Sequence, residues 1–214
     1  MIRVMLVDDR ALMRAGLKRL VEEERGFRVE AEAEDGEHAI AATREGRFDV
    51  AVVDTGISNP GILETLRRLR RADENLRALA LGTPVSGPLP SRILEFKSTG
   101  YLSQQAEGEE IRRAIRKLAG GQRYVCARVA EQLVLSAYDG ASDPMDVLSA
   151  RELSVMLMLS EGHPREEISN RLCISPKTVG TYRSRLMQKL GARNDVDLAH
   201  MALRHGLLES RVRA

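Results

Sequence analysis

The chain has 214 residues, 43 % hydrophobic but only 3 % aromatic and without Trp, enough for one large or two small domains around an aliphatic core. It holds no apolar run of about 18 residues, so no membrane-spanning helix is expected, and Met1 leads straight into a strand-like run, so no signal peptide is expected. The net charge of +2 is uneven: residues 146–214 carry 11 Lys and Arg against 8 Asp and Glu, and residues 1–145 carry 22 against 23. A weakly acidic front ahead of a basic tail suggests a control module joined to a nucleic-acid module. Cys126 and Cys173 lie far apart without metal-ligand spacing and predict buried thiols in a reducing cytoplasm.

In chain order, strand-like runs fall at Arg3–Val7, Phe27–Ala33, Asp49–Val53, Arg77–Leu81 and Gly100–Ser103. Helical patterns fall at Ala11–Glu24, Glu37–Arg44, Gly61–Arg71, Leu89–Lys97 and Glu107–Ala119. Five such units predict an α/β fold over residues 1–121, a doubly wound five-stranded parallel sheet with right-handed crossovers. Gly120-Gly121 closes the last helix. Residues 122–145 read as a linker with a short amphipathic helix over 125–137, followed by the turn-rich stretch from Tyr138 to Pro144.

Residues 146–214 read as an all-α four-helix domain. Ser149 and Glu152 form a capping box ahead of its first helix, which Gly162 stops. The second helix is Arg165–Leu172, and Cys173-Ile174-Ser175 is a tight turn. Ser175 and Pro176 start a third helix, which runs to Leu190 and ends at Gly191. Asp195 is expected to cap the fourth, closed by Gly206.

Asp8 and Asp9 follow the apolar run Val4–Val7, and Asp54 follows Val50–Val53. In an open α/β sheet the strand ends share one edge, so the three carboxylates should converge. Clustered anions repel unless a cation or a proton intervenes. A hard divalent ion, Mg²⁺, beside an aspartate able to accept a phosphoryl group accounts for the pattern. Three solvated carboxylates at loop starts are the plainer alternative.

On a helical wheel of the third helix, Val179, Tyr182, Leu186 and Leu190 line one face, and Lys177, Thr181, Ser184 and Gln188 line the other. From Pro176 to Leu190 there are four cations, Lys177, Arg183, Arg185 and Lys189, and no acid. A helix, a short turn and this second helix fit a helix-turn-helix, whose second helix enters the major groove of duplex DNA. Lys177, Arg185 and Lys189 are then phosphate contacts, and Thr181, Ser184 and Gln188 reach toward base edges. A solvated face on a small bundle is the alternative.

The segment from Leu148 to Leu208, with SPKTVGTYRSRL at its centre, resembles the LuxR-type helix-turn-helix. The front half, opening MIRVMLVDDR, resembles a flavodoxin-like two-component receiver domain. With GQRYV between them, nearly the whole chain is similar to response regulators of the NarL/FixJ class, nearest the GacA/UvrY global regulators. The resemblance implies a cytoplasmic, DNA-binding transcription regulator and not an enzyme. Its Asp54 would accept a phosphoryl group from a sensor histidine kinase, with Mg²⁺ held by Asp8, Asp9, Asp54 and the backbone carbonyl of Gly56. The active form would be a homodimer on double-stranded DNA. The base-facing positions would follow Thr178-Val179 and fall on Gly180, Thr181 and Ser184. Gly180 and Ser184 have little reach, so part of the sequence preference is expected from DNA shape and dimer spacing.

The chain departs from that pattern at the switch. Where the family has a Lys after Gly-Tyr-Leu-Ser, this chain has Gln104 after Gly100-Tyr101-Leu102-Ser103. Glutamine donates a hydrogen bond but brings no charge. The family's Thr or Ser after the fourth strand is Gly82, with Thr83 one residue late, and its Met-Pro-Gly reads Ile57-Ser58-Asn59 with Pro60 displaced. Tyr101 keeps the aromatic switch position, a half-buried strand tyrosine being the other reading. With Gly82, Thr83, Tyr101 and Gln104 as the switch positions, the changes at Gln104 and Gly82 predict phosphorylation that is inefficient or weakly coupled to DNA binding. The alternative is a phosphorylation-independent regulator whose receiver acts in dimerisation or protein contact. A Mg²⁺-dependent phosphohydrolase would leave the basic tail unexplained.

Other residues carry blander expectations. Cys173 reads as a core thiol, and His163, His200 and His205 lack acidic or Cys neighbours in a metal pattern. His38 and the Arg67-Arg68…Arg70-Arg71 cluster read as solvated faces. Val196, Ala199 and Leu203 should pack the last helix on the bundle, leaving a small apolar strip.

Overall fold

The computed structural model describes residues 1–83, 88–138, 144–205 and 207–208. They form two compact units, one of residues 1–83 and 91–133, the other of residues 88–90 and the described residues from 134 onward.

The first unit is built on β1 (Ile2–Val7), β2 (Phe27–Ala33), β3 (Val50–Asp54), β4 (Arg77–Gly82) and β5 (Thr99–Ser103). They pair in the order β2-β1-β3-β4-β5, every pair parallel. Helices α1 (Ala11–Glu22), α2 (Gly36–Glu45), α3 (Ile62–Ala72), α4 (Leu89–Leu94) and α5 (Gly108–Ala119) alternate with them. Strands β3 and β5 are buried at every residue, and in β3 the apolar run Val50–Val53 is what a strand covered on both faces needs. Edge strand β2 alternates instead, exposing Arg28, Glu30 and Glu32, charges that discourage further pairing. The fold is the doubly wound sheet expected. Helices α1 and α4 end at Glu22 and Leu94, short of the expected Glu24 and Lys97. There the N–H groups of Glu24 and Phe96 turn back to the nearer carbonyls of Val21 and Ile93, which tightens the chain out of the helix.

The strand order reverses beside β1, and register decides what emerges there. Val7 pairs with Val53, so the next residues, Asp8 and Asp54, leave the sheet side by side at its carboxyl edge. At the other end of the sheet order, the outer edge of β5 is covered by residues 124–126. The Tyr101 N–H donates to Tyr124 O (2.9 Å) and the Cys126 N–H to Tyr101 O (3.0 Å). The helix α6 (Ala127–Tyr138) follows. Residues 139–143 of the turn-rich stretch lie outside the described residues.

In the second unit a short 3₁₀ turn (Pro144–Val147) leads to α7 (Ala150–Ser160), α8 (Arg165–Leu172), α9 (Pro176–Leu190) and α10 (Asp195–Arg204). The Ser149–Glu152 capping box is complete in both directions, and Ser175 Oγ caps α9 through the Thr178 N–H (3.1 Å). Leu148, Leu153, Met156, Ile168, Leu172, Val179, Leu186, Leu198 and Ala202 fill the core.

Three expectations are corrected here. Asn194 caps α10 instead of Asp195: its side chain accepts from the Asp197 N–H (2.9 Å), and Asp195 becomes the first helical residue, where a negative charge suits the helix N-terminus. The expected closing residue Gly206 lies outside the described residues. Leu198 and Ala202 form the buried face of α10, whereas Val196 and Leu203 are 62 % and 45 % exposed. Cys173 is exposed, because it ends α8 in a left-handed conformation (φ 51°) that turns its side chain outward; Cys126 is buried as expected.

Candidate functional site

The sheet edge brings Asp8, Asp9 and Asp54 together: each offers a carboxylate oxygen within 4.8 Å of the other two. Asp8 and Asp54 are buried, while Asp9 faces solvent. Three hard oxygen donors with one reachable side fit a divalent ion such as Mg²⁺. Gly56, expected to lend its carbonyl, donates its N–H to Asp54 Oδ2 (2.9 Å). The Gln104 amide donates to Asp54 Oδ1, so the neutral residue at the expected lysine position does reach the Asp54 carboxylate.

One member was not anticipated. Arg10 Nη2 donates to Asp8 Oδ2 (2.9 Å) and to Asp54 Oδ1 (3.0 Å), and Nε donates to Asp8 Oδ1 (2.9 Å). The Arg10 backbone N–H also donates to Asp8 Oδ1 (2.8 Å). Its only sequence signal is a cation directly after the aspartate pair. The electrostatics follow from this geometry. Burial pushes the Asp54 carboxyl above its ordinary range and Asp8 pushes the same way, against the pull of Arg10, the Gly56 N–H and Gln104. The hydrogen bond to Asp8 in turn raises the Arg10 guanidinium further.

The residues expected to act as the switch lie together, the Gln104 N–H donating to the Gly82 carbonyl (2.9 Å). Tyr101 is fully buried, not half-buried, and its hydroxyl donates to the Thr83 carbonyl (3.2 Å). Burial raises the phenol pKa. The place of a side chain at Gly82 is taken up by the Tyr101 hydroxyl and by Thr55.

On α9 the expected polar face is exposed: Lys177, Thr181, Ser184, Arg185, Gln188 and Lys189 all meet solvent, and Thr178 and Gly180 are half-buried. Val179 and Leu186 are buried on the opposite face, and Tyr182 and Leu190 are half-buried there. The Thr181 and Ser184 hydroxyls each donate to the carbonyl four residues back, of Lys177 and Gly180 (3.1 Å each). Thr178 Oγ1 lies 2.8 Å from Ser175 Oγ within the cap. Lys189 is engaged inside its own unit: its ammonium donates to Glu152 Oε2 (2.8 Å) and to the Val147 carbonyl (3.0 Å). Arg183 pairs with Asp195 (2.8 Å). Among the described residues Lys177 and Arg185 carry no ion pair, and neither does Arg165 at the start of α8. The Arg165 guanidinium carbon stands 3.9 Å from where a β-carbon on Gly180 would be, so this exposed cation flanks the bare stretch of α9.

Elsewhere, His163 lies beside Glu161 (3.2 Å) and Glu167 (3.3 Å) in ion-pair contacts, which the preceding turn and α8 bring to it. His38 is exposed and bonds Asp35 (2.8 Å). Arg67 pairs with Glu64 and Arg68 with Glu37, so half of the arginine cluster on α3 is paired.

Two family models match the chain: a response regulator receiver domain over residues 4–116 and the luxR family of bacterial regulatory proteins over residues 146–202. The response regulator UvrY of Escherichia coli (strain K12) is 40 % identical over 209 residues, covering 97 % of this chain and 96 % of that protein. The response regulator GacA of Pseudomonas aeruginosa is 36 % identical over 212 residues, covering 98 % and 99 %. Among solved structures, RcsB from Salmonella enterica serovar Typhimurium bound to promoter rprA in the presence of phosphomimetic BeF3- superposes with a TM-score of 0.74 at 22 % identity. That match covers 94 % of this chain and 97 % of the other, and at that identity it speaks to fold alone.

Proposed function

The chain belongs to the response regulators, with a receiver domain ahead of a luxR-family DNA-binding domain, and from that premise we propose that Asp54 accepts a phosphoryl group from a sensor histidine kinase. Like the response regulators it matches, the chain is a DNA-binding transcription regulator and not an enzyme. The observation that carries the phosphoryl reading is the convergence of Asp8, Asp9 and Asp54 on one sheet edge. An Asp54 carboxylate oxygen attacks the phosphorus of a phosphohistidine, the P–N bond breaks, and the imidazole nitrogen keeps the electron pair. Asp8, Asp9, Asp54 and the Gly56 carbonyl would hold Mg²⁺, which neutralises charge gathering on the transferring group. Gln104 lies on Asp54 and steadies the acceptor by a hydrogen bond without adding charge.

The DNA contact is proposed for α9, with Lys177 and Arg185 on phosphates, and Gly180, Thr181, Ser184 and Gln188 facing bases as a homodimer engages two half-sites. Among the described residues no helix is long and apolar enough to cross a membrane. The proposed place of action is the cytoplasm. Weak coupling between phosphorylation and DNA binding is supported by the uncharged Gln104 and by the space at Gly82 that Tyr101 already fills. A second reading, a regulator that works without phosphorylation, is favoured by the guanidinium on both Asp8 and Asp54.

The test is intact mass after incubation with acetyl phosphate and Mg²⁺, with Asp54→Asn as control, followed by DNA affinity of both forms. An adduct on the parent and none on the variant supports the acceptor role. No adduct, in a protein that still binds DNA, moves the assignment to the phosphorylation-independent reading.

A further inference from the structure

Two buried carboxylates side by side need a positive partner, and this chain supplies one of its own. Arg10 Nη2 spans Asp8 Oδ2 (2.9 Å) and Asp54 Oδ1 (3.0 Å). The other oxygens are also taken: Asp8 Oδ1 accepts from the Arg10 N–H and Nε, and Asp54 Oδ2 accepts from the Gly56 N–H. Gln104 adds a second donor on Asp54 Oδ1. While this arrangement stands, both oxygens of the acceptor carboxylate carry hydrogen-bond donors.

We infer that Arg10 is a built-in competitor of the divalent ion: guanidinium and metal are alternative occupants of the space between Asp8 and Asp54. The inference rests on the reading of the three aspartates as a divalent-ion site. A divalent ion held by the same carboxylates would set two cations against each other in one small space, so one must leave. Arg10 is the one built to move. Its side chain is 41 % exposed while those of Asp8 and Asp54 are 1 % and 2 % exposed. It therefore reaches in from the surface and can return to solvent without opening the core. Asp9, whose Oδ1 lies 3.9 Å from Arg10 Nε, stays on the open side as the first carboxylate an arriving ion meets.

The consequence is a pocket in which one of the clustered negative charges is offset without metal. The ion must displace Arg10 before Asp54 is freed to act as a nucleophile. Arg10 thus replaces, on the metal side of Asp54, the cation that Gln104 fails to supply on the other. Apparent metal affinity falls in proportion to the fraction of molecules in which the bridge is open. If the bridge stands about nine-tenths of the time, removing it tightens binding about tenfold.

The experiment is calorimetric titration of Mg²⁺ alone into the full chain at fixed ionic strength, for the parent, Arg10→Ala and Arg10→Gln. Arg10→Gln keeps hydrogen-bonding capacity toward Asp8 and covers the case in which Arg10→Ala fails to fold. Thermal melts with and without Mg²⁺ accompany each titration. The expected result is tighter Mg²⁺ binding in both variants, by about tenfold or more. Their metal-free melting temperatures should fall below the parent's, with a larger rise on adding Mg²⁺. Equal or weaker binding in the variants overturns the competition while leaving the metal site standing. No binding in the parent or in either variant overturns the metal site itself and the competition with it.

Discussion

A β-carbon on Gly82 would stand 2.5 Å from the phenol oxygen of Tyr101, and 2.5 Å from Thr55 Oγ1. The missing side chain at 82 is therefore not a gap but space that Tyr101 occupies, with its ring fully buried and its hydroxyl on the Thr83 carbonyl. Gly82→Ala should destabilise the first unit by about 1–3 kcal/mol, the usual consequence of overpacking. Tyr101→Phe in that background should recover part of the loss, since the hydroxyl is one of the two groups in the way. Urea melts of the double-mutant cycle measure this, and a coupling of about 0.5 kcal/mol or more is expected for residues in contact. A neutral Gly82→Ala would mean that Tyr101 leaves its place freely.

Lys189 separates two roles that look alike in the sequence. Its ammonium sits on buried Glu152 and on the Val147 carbonyl, while Lys177 has no ion pair among the described residues. Lys189→Ala should lower the stability of the helical unit by about 1–2 kcal/mol, because it leaves a buried carboxylate short of its partner. Lys177→Ala should leave stability within about 0.5 kcal/mol and weaken DNA binding, with the salt slope shallower by about 0.9. The paired readouts are a denaturant melt and DNA affinity at several salt concentrations. Identical behaviour of the two variants would contradict the distinction.

Glu152 also gives the helical unit an acid limit. Burial opposes its ionisation, but Lys189 and the Ser149 N–H and hydroxyl outweigh burial and hold the carboxyl below its ordinary 4.5. A depressed carboxyl contributes stability that is fully present above the unfolded value and lost as pH falls through the folded one. Stability of this unit should therefore decline as pH drops below 4.5. Glu152→Gln should be less stable at neutral pH and show a flatter decline in acid. A variant with the parent's full acid slope would place the sensitivity elsewhere.

The sheet is readable from sequence because strands buried on both faces need continuous apolar runs, and Val4–Val7 and Val50–Val53 are such runs. Asp8, Asp9 and Asp54 follow from the same fact, since all strands of a parallel sheet end on one edge. The caps at Ser149 and Ser175 are local chemistry and equally plain. Arg10 is not, because the target of its guanidinium is set by the β1–β3 pairing that carries Asp54 across 44 residues. Lys189 and Glu152, 37 residues apart, meet only once α7 and α9 pack. Cys173 misleads for another reason: its hydropathy suits a core, but the left-handed turn after α8 decides where its side chain goes.

Gly180 leaves α9 bare at one of its expected base-facing positions, and the exposed Arg165 guanidinium lies beside that stretch, 3.9 Å from where a β-carbon would be. A long cation from α8 can then reach the nucleic acid over ground that a side chain at 180 would otherwise hold. Arg165→Ala should weaken DNA binding while leaving helical-unit stability within about 0.5 kcal/mol, as is usual for an exposed, unpaired residue. The salt dependence says what Arg165 touches. A slope shallower by about 0.9, with equal losses on specific and random duplexes, marks a phosphate contact. A loss confined to the specific duplex, of about 1–3 kcal/mol, marks a base edge. Gly180→Ala should be tolerated by the fold, because 3.9 Å is ordinary contact. An Arg165→Ala variant that binds every duplex as the parent does would leave α9 alone as the reading surface.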